Sequence, residues 1–111
     1  MKNSARHRHS LIKKLLKTIH KEMDSEQDEV DSRKFKLLEL GGKLLLIALS
    51  RYSKHLPKEL KHEIVFCVLP NLEVASSGNA SFKKINTTFY SVKTSIKELS
   101  EILDKLNFKQ L

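Results

Sequence analysis

The sequence predicts an all-α fold: a four-helix bundle with a basic N-terminal tail and a long, heptad-patterned C-terminal helix. Three observations lead to this prediction. Only 3 Gly and 2 Pro occur in 111 residues, too few for a β-sandwich with many tight turns. Hydrophobic residues make up 40% of the chain but aromatic residues only 6%, so aliphatic side chains must fill one modest core. Apolar residues recur at helical spacing in four segments, at about 10–23, 32–54, 57–69 and 80–108.

We predict a disordered basic tail at residues 1–9 and a single helical domain at residues 10–111. Ser10 is suited to cap the first helix. The apolar face of that helix is predicted to contain Leu11, Ile12, Leu15, Leu16, Ile19 and Met23. Residues 22–31 hold six acidic residues and no Lys or Arg, which is typical of a linker or of a frayed helix end.

The second helix is predicted to be central, because it is apolar almost all round. Asp31 or Ser32 can cap it, and its buried stripe is predicted to be Phe35, Leu38, Leu45 and Leu49. The pair Gly41-Gly42 interrupts it. Two helix-interior glycines predict a close approach by another backbone or a kink, and a complete break would give a fifth helix.

Pro57 suits the first turn of the third helix, and Pro70 is predicted to end it, leaving residues 71–80 as a loop that turns at Gly78-Asn79. The last helix carries an unbroken seam of apolar residues spaced three and four apart. Its flanking positions lack the complementary charges that select a coiled-coil partner, so the seam is predicted to pack within the chain, with a homodimer as the alternative. The seam consists of Phe82, Ile85, Phe89, Val92, Ile96, Leu99, Leu103 and Leu106.

The charge of the chain indicates a polyanionic partner. The net charge is +8, and residues 1–21 hold seven Lys or Arg and no acid. Clustered cations make salt-dependent contacts with phosphates but do not read sequence, so nucleic acid is the predicted partner. The predicted contact residues are Arg6, Arg8, Lys13, Lys14, Lys17, Lys21, Arg33, Lys34 and Lys36.

Patterns that would indicate catalysis or a metal are lacking, so we predict no enzyme, no cofactor and no metal. His62-Glu63 resembles the start of a zinc-protease signature, but Phe66 stands where the second His is needed. Cys67 lies in an apolar run and is predicted to be a buried, inert thiol. A single cysteine favours a reducing, cytoplasmic location, and the apolar runs are too short for a transmembrane segment.

Two alternatives remain open at this point. The excess of apolar positions on the second helix is also consistent with a helical protein-interaction module, such as an adaptor, chaperone or regulator, that binds no nucleic acid. The basic amphipathic segment 10–23 is also consistent with association at a membrane surface.

Residues 33–49 (RKFKLLELGGKLLLIAL) resemble the opening of small conjugal-transfer proteins of the TraD type. The resemblance rests on Arg33, Lys34, Leu38, Leu40, Gly41 and Gly42. The family continues with a second glycine-containing apolar segment, whereas residues 50–54 here read SRYSK. The resemblance implies a small helical accessory protein in plasmid DNA processing, without a catalytic site.

Overall fold

The computed structural model describes residues 2–27 and 29–106 of the protein. The chain is all-α. A 3-10 turn (Ser53–His55) follows the second helix, and a π-helical turn (Ile64–Val68) joins the third helix to the fourth without a break, so the helices form four rods. The rods pack into a bundle of 45 × 25 × 19 Å, which confirms the predicted all-α bundle. The helices are α1 (Lys2–Asp24), α2 (Ser32–Tyr52), α3 (Lys58–Glu63), α4 (Leu69–Ala75) and α5 (Phe82–Lys105).

Helix α1 begins earlier than the sequence predicts. Residues 2–9, expected to be a disordered tail, form its first turns, and Ser10 lies inside the helix instead of capping it. The prediction of a disordered tail is wrong because it followed apolar spacing, whereas a polar residue holds this part of α1 against the bundle. His9 is buried, and its Nδ1 lies 2.9 Å from the Tyr52 hydroxyl at the end of α2. Further along α1, Leu11 and Leu15 remain exposed, so the buried face is narrower than predicted.

Helix α2 runs without interruption through its glycine pair. The break that would have given a fifth helix therefore does not occur. Asp31 caps it by accepting the backbone N–H of Lys34 at 3.0 Å. A Cβ built on Gly41 would lie 2.8 Å from Val92 Cγ1 and 3.1 Å from Ile96 Cδ1. The close approach that the glycines predict is therefore present, and side chains of α5, not backbone, make it.

The buried stripe of α2 is rotated from the prediction. Phe35 is 37% exposed, and Leu40, Leu46 and Ile47 are also exposed, so α2 is not surrounded by protein. Helix α2 contacts α1, α5 and α4, and α5 likewise contacts α1, α2 and the rod that contains α3 and α4, so α2 shares the central position with α5. The residues of α2 that share the buried face include Lys34, Leu38, Gly41, Leu45, Ala48 and Tyr52.

The third rod continues past Pro70, which was predicted to end it. Proline lacks an N–H, and its ring crowds the carbonyl four residues earlier in a regular α-helix. Here the N–H of Leu69 bonds to the carbonyl of Ile64, five residues back, so the wider π turn is in place just before the proline. The helix then extends to Ala75, and the loop predicted at 71–80 shortens to residues 76–81. Gly78 has φ 87°, as expected of its turn.

The seam of α5 packs inside the bundle. Ser81 caps the helix by accepting the backbone N–H of Lys84 at 3.1 Å. The seam fails only at its ends: Phe82 is 73% exposed and Leu106 is half-buried. Six of its eight residues are buried, which agrees with the prediction of packing within the chain: Ile85, Phe89, Val92, Ile96, Leu99 and Leu103.

Candidate nucleic-acid interface

The outward side of α1 carries most of the predicted contact residues. The buried stripe of α1 points Ile12, Leu16 and Ile19 into the core, so the residues on the opposite side face solvent. Residues 2–21 include no Asp or Glu, so α1 itself brings no negative charge to this side. We define the α1 basic face as Arg6, Lys13, Lys14, Lys17 and Lys21.

Two lysines of the α1 basic face share one carboxylate. Asp104 of α5 lies 3.4 Å from Lys13 Nζ and 3.2 Å from Lys17 Nζ. Burial acts to raise the pKa of Asp104, but hydrogen bonds and charges from Lys17 and Lys13 outweigh it and hold the pKa below its usual value. One carboxylate cannot neutralise two ammonium groups, so the cluster keeps a net positive charge.

Lys14 and Lys21 are exposed, and neither forms an ion pair with a described residue. Their ammonium groups are therefore hydrated in the isolated protein. A phosphate can replace that hydration without breaking an internal ion pair, so these two lysines are the most available of the face.

Arg33 is occupied within the protein. Its guanidinium forms an ion pair with Glu22 and a second with Glu26, 2.8 Å from Nε to Oε1. These pairs tie the start of α2 to the end of α1 and to the segment between them. The linker predicted at residues 22–31 is shorter, because α1 continues to Asp24. Two acids of that segment, Glu22 and Glu26, bind Arg33, which therefore has a structural role.

Lys34 is not available to a partner, which corrects the prediction. Its side chain is buried, with the residue only 2% exposed. Nζ donates to the carbonyl of Gln27 at 2.5 Å and to Asn86 Oδ1 at 3.1 Å, and it lies 4.9 Å from the centre of the Phe89 ring. The neighbouring Lys36 is exposed on α2. The predicted cluster of Arg33, Lys34 and Lys36 is therefore divided: Lys34 is buried, Arg33 is paired with two carboxylates, and Lys36 is exposed.

Arg8 belongs to a different feature, which the sequence did not indicate. It contributes to a cleft of about 370 Å³ between the second turn of α1 and the end of α2. We call this the end cleft. No acidic residue is among the residues that line it, which are Arg8, His9, Ser50, Arg51, Tyr52, Ser53, Lys54 and His55.

Two uncharged side chains form the inner wall of the end cleft. Burial, reinforced by the charge of Lys13, lowers the pKa of His9, against a smaller opposing effect of Asp104. Burial raises the pKa of Tyr52 against a smaller effect of Arg51. Both are therefore neutral at pH 7, and the permanent charges of the cleft come from Arg8, Arg51 and Lys54.

An apolar groove lies on another side of the bundle, between α2 and α4. It has a volume of about 620 Å³, and Phe35, Gly42, Leu46, Leu69 and Leu72 are among its lining residues. Leu46 is 54% exposed there.

The environment of Cys67 differs from the prediction. Cys67 is half-buried, not buried as predicted, and burial together with Glu63 raises the pKa of its thiol. Within residues 2–27 and 29–106, no group of three His, Cys, Asp or Glu is placed to hold a metal ion. No helix in that part of the chain is long and apolar enough to cross a membrane.

Comparisons of the chain with protein-family models, curated proteins and solved structures found no match.

Proposed function

We propose that this protein binds nucleic acid through the α1 basic face, as a small accessory protein that positions or protects a strand and catalyses nothing. The observation that carries the proposal is the placement of exposed Lys14, Lys17 and Lys21 on one side of a helix whose first 20 described residues contain no acid. A role in DNA processing is what the resemblance of residues 33–49 to conjugal-transfer proteins implies. The cytoplasmic location predicted from the single cysteine would bring the chain into contact with nucleic acid.

The dimensions of the face suit a duplex. From Arg6 to Lys21 the helix rises about 22 Å at 1.5 Å per residue. That length corresponds to about six base pairs at 3.4 Å each. The four lysines of the face less the one charge of Asp104 leave a net charge of about three, so log Kd should change with log salt with a slope of about 3. No base-reading side chain is implied, and we expect little sequence preference.

The test is fluorescence anisotropy with random duplex DNA at several salt concentrations, using untagged protein. Replacing Lys14 and Lys21 with Gln should weaken binding and reduce the salt slope by about 2, one for each phosphate contact. The matched control is Lys83→Gln with Lys105→Gln, which removes the same charge from exposed positions on α5. Absence of binding at low salt, or equal loss in both double variants, contradicts the proposal.

A protein-interaction module is the second candidate, favoured by the apolar groove. The half-exposed Leu46 and Phe35 leave apolar surface open to a partner. A pull-down from the native source with and without nuclease separates the two functions. A partner that survives nuclease and is lost with Leu46→Ser supports the module, whereas loss of all partners on nuclease treatment supports nucleic-acid binding.

A further inference from the structure

The end cleft brings together cations from two helices. The hydrogen bond between His9 and Tyr52 fixes the second turn of α1 against the last turn of α2. Arg8 precedes His9 and Arg51 precedes Tyr52, so the same contact brings both arginines to one cleft. Lys54 enters from the 3-10 turn that follows α2.

Part of this charge has a structural explanation. The carbonyls at the end of a helix carry partial negative charge, and cations in the last turn stabilise them. Arg51 lies in the last turn of α2 and Lys54 just beyond it. That explanation does not extend to Arg8, which comes from the early part of α1. Three like charges at one cleft without an acid among the lining residues repel one another, and a bound anion would relieve the repulsion.

The shape and charge of the cleft narrow the class of anion. A phosphodiester within a strand carries one charge, is flanked by sugars on both sides and presents only two free oxygens to a cleft. A phosphate monoester carries close to two charges at pH 7 and projects from the end of its chain. Two guanidiniums and one ammonium supply enough donors for its three terminal oxygens, and a guanidinium can bind phosphate in a bidentate manner. A volume of about 370 Å³ also leaves room for the attached sugar.

We propose that the end cleft binds a phosphate monoester, namely the terminal phosphate of a nucleic-acid strand. Arg8, Arg51 and Lys54 contact the phosphate oxygens, and the Tyr52–His9 pair holds the two helices in register. This inference rests on the proposed function, because the α1 basic face would bind the strand whose end enters the cleft. It goes further by distinguishing strand ends from strand interiors.

The experiment compares two short single strands of one sequence, each with an internal fluorophore, that carry either phosphate or hydroxyl at both ends. Fluorescence anisotropy should give about tenfold tighter binding of the phosphorylated strand. Arg51→Gln with Lys54→Gln should bind both strands equally, and so should Arg8→Gln, which changes the other wall. The double variant Lys83→Gln with Lys105→Gln should keep the full preference. Circular dichroism confirms that each variant is folded.

A second measurement separates a strand end from a free phosphate. Inorganic phosphate is titrated against chloride at constant ionic strength, and the thermal midpoint of the wild type and the cleft variants is recorded. If the strands bind equally but phosphate raises the midpoint of the wild type alone, the cleft takes small phosphates and the strand-end assignment is wrong.

Equal binding of both strands without any phosphate-specific shift overturns the inference and leaves the proposed function intact. If neither strand binds and the random duplex does not bind either, the proposed function fails, and the phosphate titration alone decides whether the cleft is an anion site.

Discussion

Substituting Gly41 with Ala tests whether α2 and α5 are as closely packed as the structure indicates. Alanine is favoured over glycine in a helix interior by about 1 kcal/mol, so helix propensity alone predicts stabilisation. The new methyl carbon would lie 2.8 Å from Val92 Cγ1 and 3.1 Å from Ile96 Cδ1. Carbon atoms prefer separations of about 3.5–4.0 Å, so the substitution overpacks the site.

The sign of the effect depends on whether the neighbours can move. Val92 and Ile96 are fully buried and β-branched, with stiff side chains in a filled core. Overpacking of such a site costs about 1–3 kcal/mol, and we expect the upper half of that range. After subtracting the propensity gain, Gly41→Ala should lower the free energy of unfolding by about 1–2 kcal/mol.

Gly42 provides the matched control on the same helix. A Cβ there meets Cδ2 of Leu72, the far end of a flexible and half-buried side chain that can turn into the apolar groove. Gly42→Ala should therefore be neutral or stabilising by up to about 1 kcal/mol.

Urea denaturation followed by circular dichroism measures both variants. The double variant Gly41→Ala with Val92→Ala should lose less stability than the sum of the two single losses, by about 0.5 kcal/mol or more. A Gly41→Ala protein that is as stable as the wild type would show that the helices are further apart than described.

Three further predictions concern the core and its buried polar groups. Leu99→Ala should destabilise the protein by about 2–5 kcal/mol, because Leu99 is fully buried in the seam. Light scattering should show a monomer before the change, and a dimer that dissociates while remaining helical would contradict the intramolecular seam. Lys34→Met should lower stability by about 1–3 kcal/mol in urea titrations, through loss of two hydrogen bonds, and leave DNA affinity unchanged. Since His9 has a lowered pKa when folded, the unfolded chain binds more protons just below pH 6.5, so thermal stability should fall as the pH drops through that window. His9→Gln should flatten this slope, whereas His62→Gln, at an exposed position, should not.

The helical period predicted the fold, and the errors come from residues that act through backbone or polar contacts. The α5 seam could be predicted because apolar spacing directly encodes a buried face. Pro70 was misjudged as a helix end because a π turn, which leaves no composition signal, precedes it. The start of α1 was missed because a buried His–Tyr pair, not an apolar stripe, anchors it.

The sequence predicted the candidate site correctly only where a charged residue is also exposed. Lys14 and Lys21 follow from the amphipathic pattern of α1. Lys34 was grouped with its basic neighbours, although its spacing from Leu38 and Gly41 places it on the buried face of α2. That spacing was the available signal. The end cleft joins residues more than 40 positions apart, and local sequence patterns do not report such a contact.

The carboxylate of Asp104 lets the charge of the α1 basic face be changed without any substitution in α1. Because one side chain on α5 holds both Lys13 and Lys17, its replacement by Asn would release two cations at once. Natural variation at this position would thus adjust how strongly the α1 basic face attracts a polyanion while every cation stays in place. Substitutions on α5 could then change the affinity for a polyanion, while the number and positions of the cations are determined by α1.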